Sequence, residues 1–349
     1  MHMSSAISIN RLGWQAFFQQ QLHLEELEHA SIARVCGHHR NGYLLHTIQG
    51  TLTLHANSAL PEMTLGDWLL LDEQQHFVRL LERKSLFKRK AAGTRVTEQL
   101  IAANVDTLFI VCSLNQDFNL SRIERYLALA HEATVTPVVV LTKQDLCADV
   151  EDKRQAVQAL DPFLQVETVN ALDKDSCSSL LAYCGAGQTL SLLGSSGVGK
   201  STLVNSLLGY DIQKTATIRE DDSKGRHTTT ARTMHFLPSG AVLIDTPGMR
   251  ELQLTECETG VRQTFADIEQ LAQQCRFNDC QHQSEPGCTI QQAIATGELE
   301  PRRLSNYLKL LAEQAHNSAS LQQRHAQDRQ FGRMVKTVST VSRKLKKGY

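Results

Sequence analysis

No stretch of the chain approaches the ~18–20 consecutive apolar residues that a helix needs to cross a bilayer. Met1 to Leu22 also lacks a basic segment followed by an apolar one, the layout of a secretory leader, so the expected location is the cytoplasm. An excess of either charge is missing too: 36 basic residues against 37 acidic ones leave a formal net charge of -1. Attraction to nucleic acid must therefore come from local clusters. No disulfide framework is visible, since nine cysteines is an odd number and six of them stand singly, which suits reduced thiols. Convincing repeats and low-complexity tracts are absent. What remains is an ordinary globular composition, 41% hydrophobic and 21% charged over 349 residues, enough for two or three domains.

Five short strand candidates lie between residues 32 and 81: Ile32–Val35, Tyr43–Thr47, Thr51–His55, Trp68–Leu71 and Phe77–Leu81, broken by turn-formers such as Asn41-Gly42 and Gly66-Asp67. This density suggests a small barrel such as an OB-fold, with another β-sandwich or SH3-like barrel as the competing reading. Ahead of it, Trp14 to Leu27 reads as a lone helix. Arg83, Lys84, Lys88, Arg89, Lys90 and Arg95 then form a basic strip opposed only by Glu82. Beyond Ala103 the period changes. Thr107–Cys112 and Val138–Leu141 are continuous apolar runs, as in parallel strands buried on both faces, and Ser121 to Ala133 between them has helical spacing. Further strands are predicted at Val166–Val169, Leu190–Leu193 and Val242–Ile244, giving an α/β sheet with right-handed crossovers. From about Glu258 onward helical patterns dominate, and the tail after Asp328 is basic without an acidic residue.

The strand Leu190–Leu193 runs into Gly194, Ser195, Ser196, Gly197, Val198, Gly199, Lys200, Ser201 and Thr202, followed by an apolar helical pattern. Strand, G-x-x-x-x-G-K-S and helix together specify a loop whose backbone N–H groups cradle phosphates. Lys200 is expected to reach the β- and γ-phosphates, and the Ser201 hydroxyl to ligate magnesium. Asp245-Thr246-Pro247-Gly248 ends the strand Val242–Ile244 as a D-x-x-G element, with Asp245 on magnesium through water and the Gly248 N–H on the γ-phosphate. Thr142, Lys143, Gln144 and Asp145 end another strand and match N-K-x-D with threonine first. One carboxylate at Asp145 can accept from both guanine N1–H and N2–H₂, a donor pair adenine lacks, and Lys143 can lay its stem along the base. Asn170 and Ala171 occupy the place of the loop that backs the guanine. Within Gly225-Arg226-His227-Thr228-Thr229-Thr230, Thr229 is the candidate to cap magnesium and sense the γ-phosphate.

The position after D-x-x-G, where Ras-like enzymes place a water-orienting glutamine, is Met249, and Gly197 stands where potassium-activated GTPases carry asparagine. His227 is the remaining candidate for positioning water. The motif order is also unusual, with the base reader ahead of the phosphate loop. Finally, Cys275-x4-Cys280-x-His282-x5-Cys288 offers three thiolates and one imidazole, a donor set for a closed tetrahedral zinc and not for a catalytic one.

Together the motifs at 142–145, 194–202, 225–230 and 245–248, the cysteine cluster, and the stretches Gly66-Asp67-Trp68 and Ile101–Asp106 resemble the circularly permuted ribosome-associated GTPases of the RsgA (YjeQ) family. The resemblance covers about residues 32 to 310. It implies a multidomain α/β protein: an OB-like barrel at 1–100, a permuted P-loop GTPase domain at 101–255 and a zinc-binding helical domain with a basic tail at 256–349. It further implies a monomer that binds GTP and GDP with magnesium and docks on the small ribosomal subunit and its rRNA late in maturation, the subunit stimulating slow hydrolysis. Two departures stand out. The first 80 residues carry four arginines against seven acids, so the barrel suits RNA phosphates poorly, and the base reader begins with Thr142. The alternative reading is a GTP-dependent switch acting on a protein partner.

Overall fold

The computed structural model describes residues 8–39, 41–90, 98–209, 233–246, 249 and 257–318. The expected roles of His227, Thr229 and Gly248, the end of the basic strip at Arg95 and the basic tail fall outside the described residues.

Strands β1 (Ser31–His39), β2 (Gly42–Thr47), β3 (Gly50–His55), β4 (Trp68–Leu71) and β5 (Phe77–Leu80) form an antiparallel sheet in the order β3-β2-β1-β4-β5. It curls around Ala33, Val35, Leu45, Leu69 and Leu71. No ladder joins β3 to β5 among the described residues, so closure is partial, as in an OB-like barrel. The expected helix over residues 14–27 is broken into α1 (Ala16–Gln19) and α2 (Leu24–His29), preceded by a 3₁₀ turn at Ile9–Leu12. The break follows from packing. Trp14 and Phe18 sit on Trp68, and Leu12 joins them over Leu70 and Leu81, while α2 turns away to meet β5 through a bidentate Arg79–Glu26 pair at 2.7 and 2.8 Å. This explains why β4 is apolar at every position: one face lines the barrel and the other carries the amino-terminal segment.

A two-stranded ribbon, β6 (Leu86–Lys90) and β7 (Glu98–Ala103), follows. The second large sheet contains β8 (Thr107–Ser113), β9 (Thr136–Thr142), β10 (Gln165–Val169), β11 (Thr189–Leu193), β12 (Thr233–Phe236) and β13 (Val242–Asp245) in the order β10-β9-β8-β11-β13-β12, parallel except for β12. Residues alternate between its faces. Leu108, Ile110, Cys112, Val139 and Leu141 face α3 (Leu120–Glu132), while Phe109, Val111, Val138, Val140 and Leu192 face α5 (Lys200–Leu208). Helix α3 starts where the Asn119 side chain accepts the Arg122 N–H, and it buries Ile123, Leu127 and Ala130 at helical spacing. Helix α4 (Val150–Gln158) connects β9 to β10.

The carboxy-terminal helices α6 (Glu258–Thr264), α7 (Ala266–Ala272), α8 (Thr289–Thr296) and α9 (Pro301–Ser318) share one core with α3 through Val261, Phe265, Ile290, Leu304 and Tyr307. A Cβ on Gly260 would lie 2.1 Å from the Ala128 carbonyl oxygen, so α6 can approach α3 this closely only with glycine there.

The two sheets are joined at the family stretches. Gly66, at φ +92°, leaves room for the Ala103 carbonyl, which a Cβ would meet at 2.0 Å. The Gly66 carbonyl accepts from Asn104 Nδ2 at 3.0 Å. Arg34 is fully buried and donates to the carbonyls of Leu12, Gly66 and Asn104 and to Thr189 Oγ1, with burial lowering its pKa to about 10. Arg83 is bidentate on buried Asp67 at 2.7 and 2.9 Å, and Lys84 meets Asp106 at 2.7 Å. The first two cations of the basic strip thus hold the junction together.

Candidate nucleotide site and metal centre

The parallel strands all point their carboxyl ends to one edge, where ligands of open α/β sheets bind. There β9 ends at Thr142, opposite Ser113 of β8 and Val169 of β10, and β13 ends at Asp245 beside β11. The segments carrying Asn170, Thr142, Gly194 and Asp245 therefore converge, although 103 residues separate Thr142 from Asp245 along the chain.

Gly194 starts the phosphate loop at φ +157°, and a Cβ there would sit 2.2 Å from the Val111 carbonyl oxygen. Gly197 and Gly199 take φ +78° and +98°, turning the loop into the amino terminus of α5. Such alternation aims backbone N–H groups into one concavity. Lys200 is buried, its ammonium donating to the Gly194 carbonyl at 2.7 Å and to the Ser195 carbonyl. Val198 is buried beneath the loop, whereas Ser196 and Gly197 are exposed on it, and Ser201 and Thr202 are half-buried at the start of α5.

The base-reader segment lies directly on this loop. Thr142 Oγ1 donates to the Val198 carbonyl at 2.6 Å, and Lys143 Nζ donates to the Gly197 carbonyl at 2.9 Å. Lys143 has φ +61°, a left-handed kink that turns the chain so Gln144 and Asp145 project beyond the sheet edge. Asp145 is exposed. Ser176 ties the two base-side loops together: its hydroxyl accepts from Gln144 Nε2 at 2.9 Å and from the Asn170 N–H at 2.8 Å. Ala171 is buried, and its carbonyl accepts from Ser206 of α5 at 2.7 Å. Ser191 of β11 donates to the Ile244 carbonyl at 3.0 Å, fixing the residue before Asp245. Met249 is buried in the core shared with α3.

At the second site the ligand atoms of Cys275, Cys280, His282 and Cys288 all lie within 4.8 Å of one another. A tetrahedral zinc with Zn–S near 2.3 Å and Zn–N near 2.05 Å requires S···S and S···N edges of about 3.8 and 3.6 Å. Cys275 and Cys288 sulfurs are 3.9 Å apart, and each stands 3.6 Å from His282 Nδ1. The donor set and these three edges fit the metal. His282 takes φ +58°, and the carboxylate of Glu285 accepts the N–H groups of Gln281, Gln283 and Ser284. Those N–H donors, Gln281 first, draw the Glu285 pKa down to about 2. The knuckle is organised by its own backbone.

A candidate base reader that precedes the phosphate loop in sequence yet is bonded to it in space is what a permuted chain would show. The family model described as RsgA GTPase matches residues 80–255. The chain is 60% identical over 347 residues to the Small ribosomal subunit biogenesis GTPase RsgA 2 of Vibrio parahaemolyticus, covering 99% of this chain and 97% of that one. The corresponding figure for the Mesorhizobium japonicum protein named Small ribosomal subunit biogenesis GTPase RsgA is 47%, over 90% and 92% of the two chains. The chain belongs to the RsgA GTPase family.

Its fold is similar to the crystal structure of YjeQ from Thermotoga maritima, with TM-score 0.59, 24% identity, and 81% and 98% of the two chains covered. It is also similar to the crystal structure of YloQ, a circularly permuted GTPase, with TM-score 0.58, 21% identity, and 84% and 97% covered. A model described as ABC transporter matches residues 178–344, a span that includes the phosphate loop but not the base reader at 142–145. As an RsgA GTPase the chain is a GTP hydrolase with a circularly permuted P-loop fold.

Sequence reasoning missed Ser176, Ser206 and Glu285, which touch the site's backbone and carry no motif. It also missed Leu146 and Leu172, large apolar side chains 72% and 82% exposed in the residues just after Asp145 and Ala171. Exposure of that kind is invisible in a sequence pattern.

Proposed function

We propose that this RsgA-family enzyme converts GTP to GDP and phosphate while assisting late maturation of the small ribosomal subunit, which stimulates the hydrolysis. The observation that carries the reading is the 60% identity, over nearly the whole chain, to a protein named for small ribosomal subunit biogenesis. In this reading the chain is a cytoplasmic monomer divided at about residues 100 and 255, and it contacts rRNA. Asp145 reads the guanine edge, Lys143 flanks the base, and Thr142 holds the base loop to the phosphate loop. Gln144, Asn170 and Ala171 shape the base pocket, residues 194–202 cradle the phosphates, and the Gly248 N–H meets the γ-phosphate. Lys200 leaves the loop carbonyls for phosphate oxygens. Ser201, Thr229 and Asp245 hold magnesium, whose charge offsets that developing on the phosphates. His227 orients water, a role the buried Met249 cannot take. Cys275, Cys280, His282 and Cys288 hold one structural zinc.

GTP hydrolysis measured with and without purified small subunits tests the proposal. Intrinsic turnover should be below roughly 10⁻² s⁻¹ and rise with subunits. His227→Ala should lose the stimulation and keep GTP and subunit binding. Unstimulated hydrolysis in the wild type would reject the ribosomal role in favour of a protein-directed switch.

A further inference from the structure

We propose that Arg122 is a positioning residue for the phosphate loop, and that helix α9 holds it in place by gripping the α3 residues on either side of it. The inference rests on residues 194–202 being the phosphate cradle.

Arg122 lies outside every nucleotide motif, seventy-odd residues before the loop. Its Nη1 donates to Ser195 Oγ at 2.8 Å and to Asp117 Oδ1 at 2.6 Å. The Asp117 hydrogen bond raises the arginine's pKa, so the donor is permanently charged. Ser195 is therefore held twice: its side chain by Arg122 and its carbonyl by Lys200. The two grips differ in what a nucleotide does to them. Lys200 must abandon the carbonyls of Gly194 and Ser195 to reach phosphate oxygens. The Arg122–Ser195 bond uses neither the ammonium nor a backbone N–H, so it can persist through that exchange. It fixes the second residue of the loop while the lysine moves.

Arg122 can act this way only if α3 cannot rotate. Ser121, Glu124 and Arg125, its neighbours on the helix, are all bonded to α9. Ser121 accepts from Arg302 and, at its carbonyl, from Asn306. Glu124 is fully buried and accepts from Arg302, Arg303 and Asn306 at 2.6–3.2 Å. Arg125 is bidentate on Glu313 at 2.5 and 2.6 Å. Rotating α3 would leave a buried carboxylate without partners, a cost apolar contacts do not impose. Arg303 extends the clamp to Asp267 of α7, so the helices around the metal centre are part of the same network.

The test reads GTP and GDP affinity, kcat, KM and thermal midpoint on the full chain. Arg122→Ala and Ser195→Ala should each weaken binding of both nucleotides about tenfold, the scale of one charge-assisted hydrogen bond. The double variant should bind no worse than either single one, because both remove one interaction. Arg122→Lys should recover part of the loss, which a purely structural role would not produce. Arg302→Ala, with no contact to the loop, should weaken binding in the wild-type background and have no effect beside Arg122→Ala. Lys200→Ala is the reference. If it loses nucleotide while Arg122→Ala binds normally, or if the two losses at Arg122 and Ser195 add, Arg122 has no positioning role and the cradle stands. If Arg302→Ala leaves affinity unchanged, the α9 grip is overturned. If Lys200→Ala binds GTP as the wild type does, the cradle assignment fails and this inference with it.

Discussion

Asp145 is exposed at the tip of a loop that Thr142 and Lys143 pin to the phosphate loop, so its carboxylate is placed by its neighbours' bonds and needs no partner of its own to be held. Asp145→Asn should weaken GTP by about 1.5–3 kcal/mol, a factor of roughly 10 to 150, because a charged acceptor facing two donors becomes a neutral amide. The same amide can donate to the O2 of xanthine, so affinity for xanthosine triphosphate should rise. Competition binding with both nucleotides checks this, and unchanged GTP preference would remove the assignment. At this scale the candidate motifs could be picked out because each is a run of consecutive residues with fixed turn chemistry, such as the left-handed Gly197, Gly199 and Lys143. Arg34 could not. It read as one cation of a barrel, whereas its guanidinium is buried among carbonyls contributed by residues 12, 66 and 104 and a hydroxyl at 189. Nothing local announces a site assembled from four distant segments.

Among elements, ten of the thirteen described strands were read to within a few residues because their apolar runs are set by burial on one or both faces of a sheet, whereas β6, β7 and β12 were not read as strands. The helix expected over 14–27 failed because its apolar residues serve two surfaces, Trp14 and Phe18 on the sheet and α2 on β5, and a straight helix cannot reach both. The anchor of α2 has a measurable consequence. Arg79 lowers the Glu26 pKa to about 2 from 4.5 through their hydrogen bonds, with the His23 N–H adding to the effect. A depressed carboxylate stabilises the fold fully above its unfolded pKa and loses that contribution as pH falls through the folded value. Glu26→Gln should therefore be less stable than the wild type at pH 7, with the difference shrinking between about pH 4.5 and 2. Denaturation at a series of pH values reads this directly, and a constant difference would rule out the pair as the cause. The Cys275–Cys288 cluster makes a second element-scale prediction. Metal analysis should find about one zinc per chain, and Cys280→Ala or chelation should destabilise α6–α9. GTP binding should fall by no more than in Arg302→Ala, since the phosphate and base loops arise from β9 and β11 and only the α9 grip on α3 is loosened. Metal-free protein with an unchanged melting profile would count against the site.

For the whole molecule, the question is how a chain of net charge -1 would hold an RNA surface. The structure narrows the answer by removing candidates. Arg34, Arg79, Arg83 and Lys84 are all committed to internal partners: backbone carbonyls, Glu26, Asp67 and Asp106. On the ribbon β6–β7, Lys88 pairs with Glu98 at 2.9 Å, with the two side chains 35% and 51% exposed. Such an exposed pair is worth about 0–1 kcal/mol, so a phosphate can displace the carboxylate at little cost. Arg89 donates to the Gln99 side chain, a neutral acceptor that a phosphate oxygen can replace. Binding to purified small subunits should therefore weaken with salt. Reversing Lys88, Arg89 and Lys90 to Glu should both lower affinity and flatten the slope of log K against log salt, by about one unit for each phosphate no longer neutralised. Arg83→Gln supplies the contrast. It removes a cation of the same strip but leaves the buried Asp67 carboxylate with its main partner gone, so it should lower the thermal midpoint while leaving the salt slope unchanged. If the reversal at 88–90 alters neither affinity nor slope, the ribbon does not face RNA, and the basic tail beyond residue 328 becomes the segment to test.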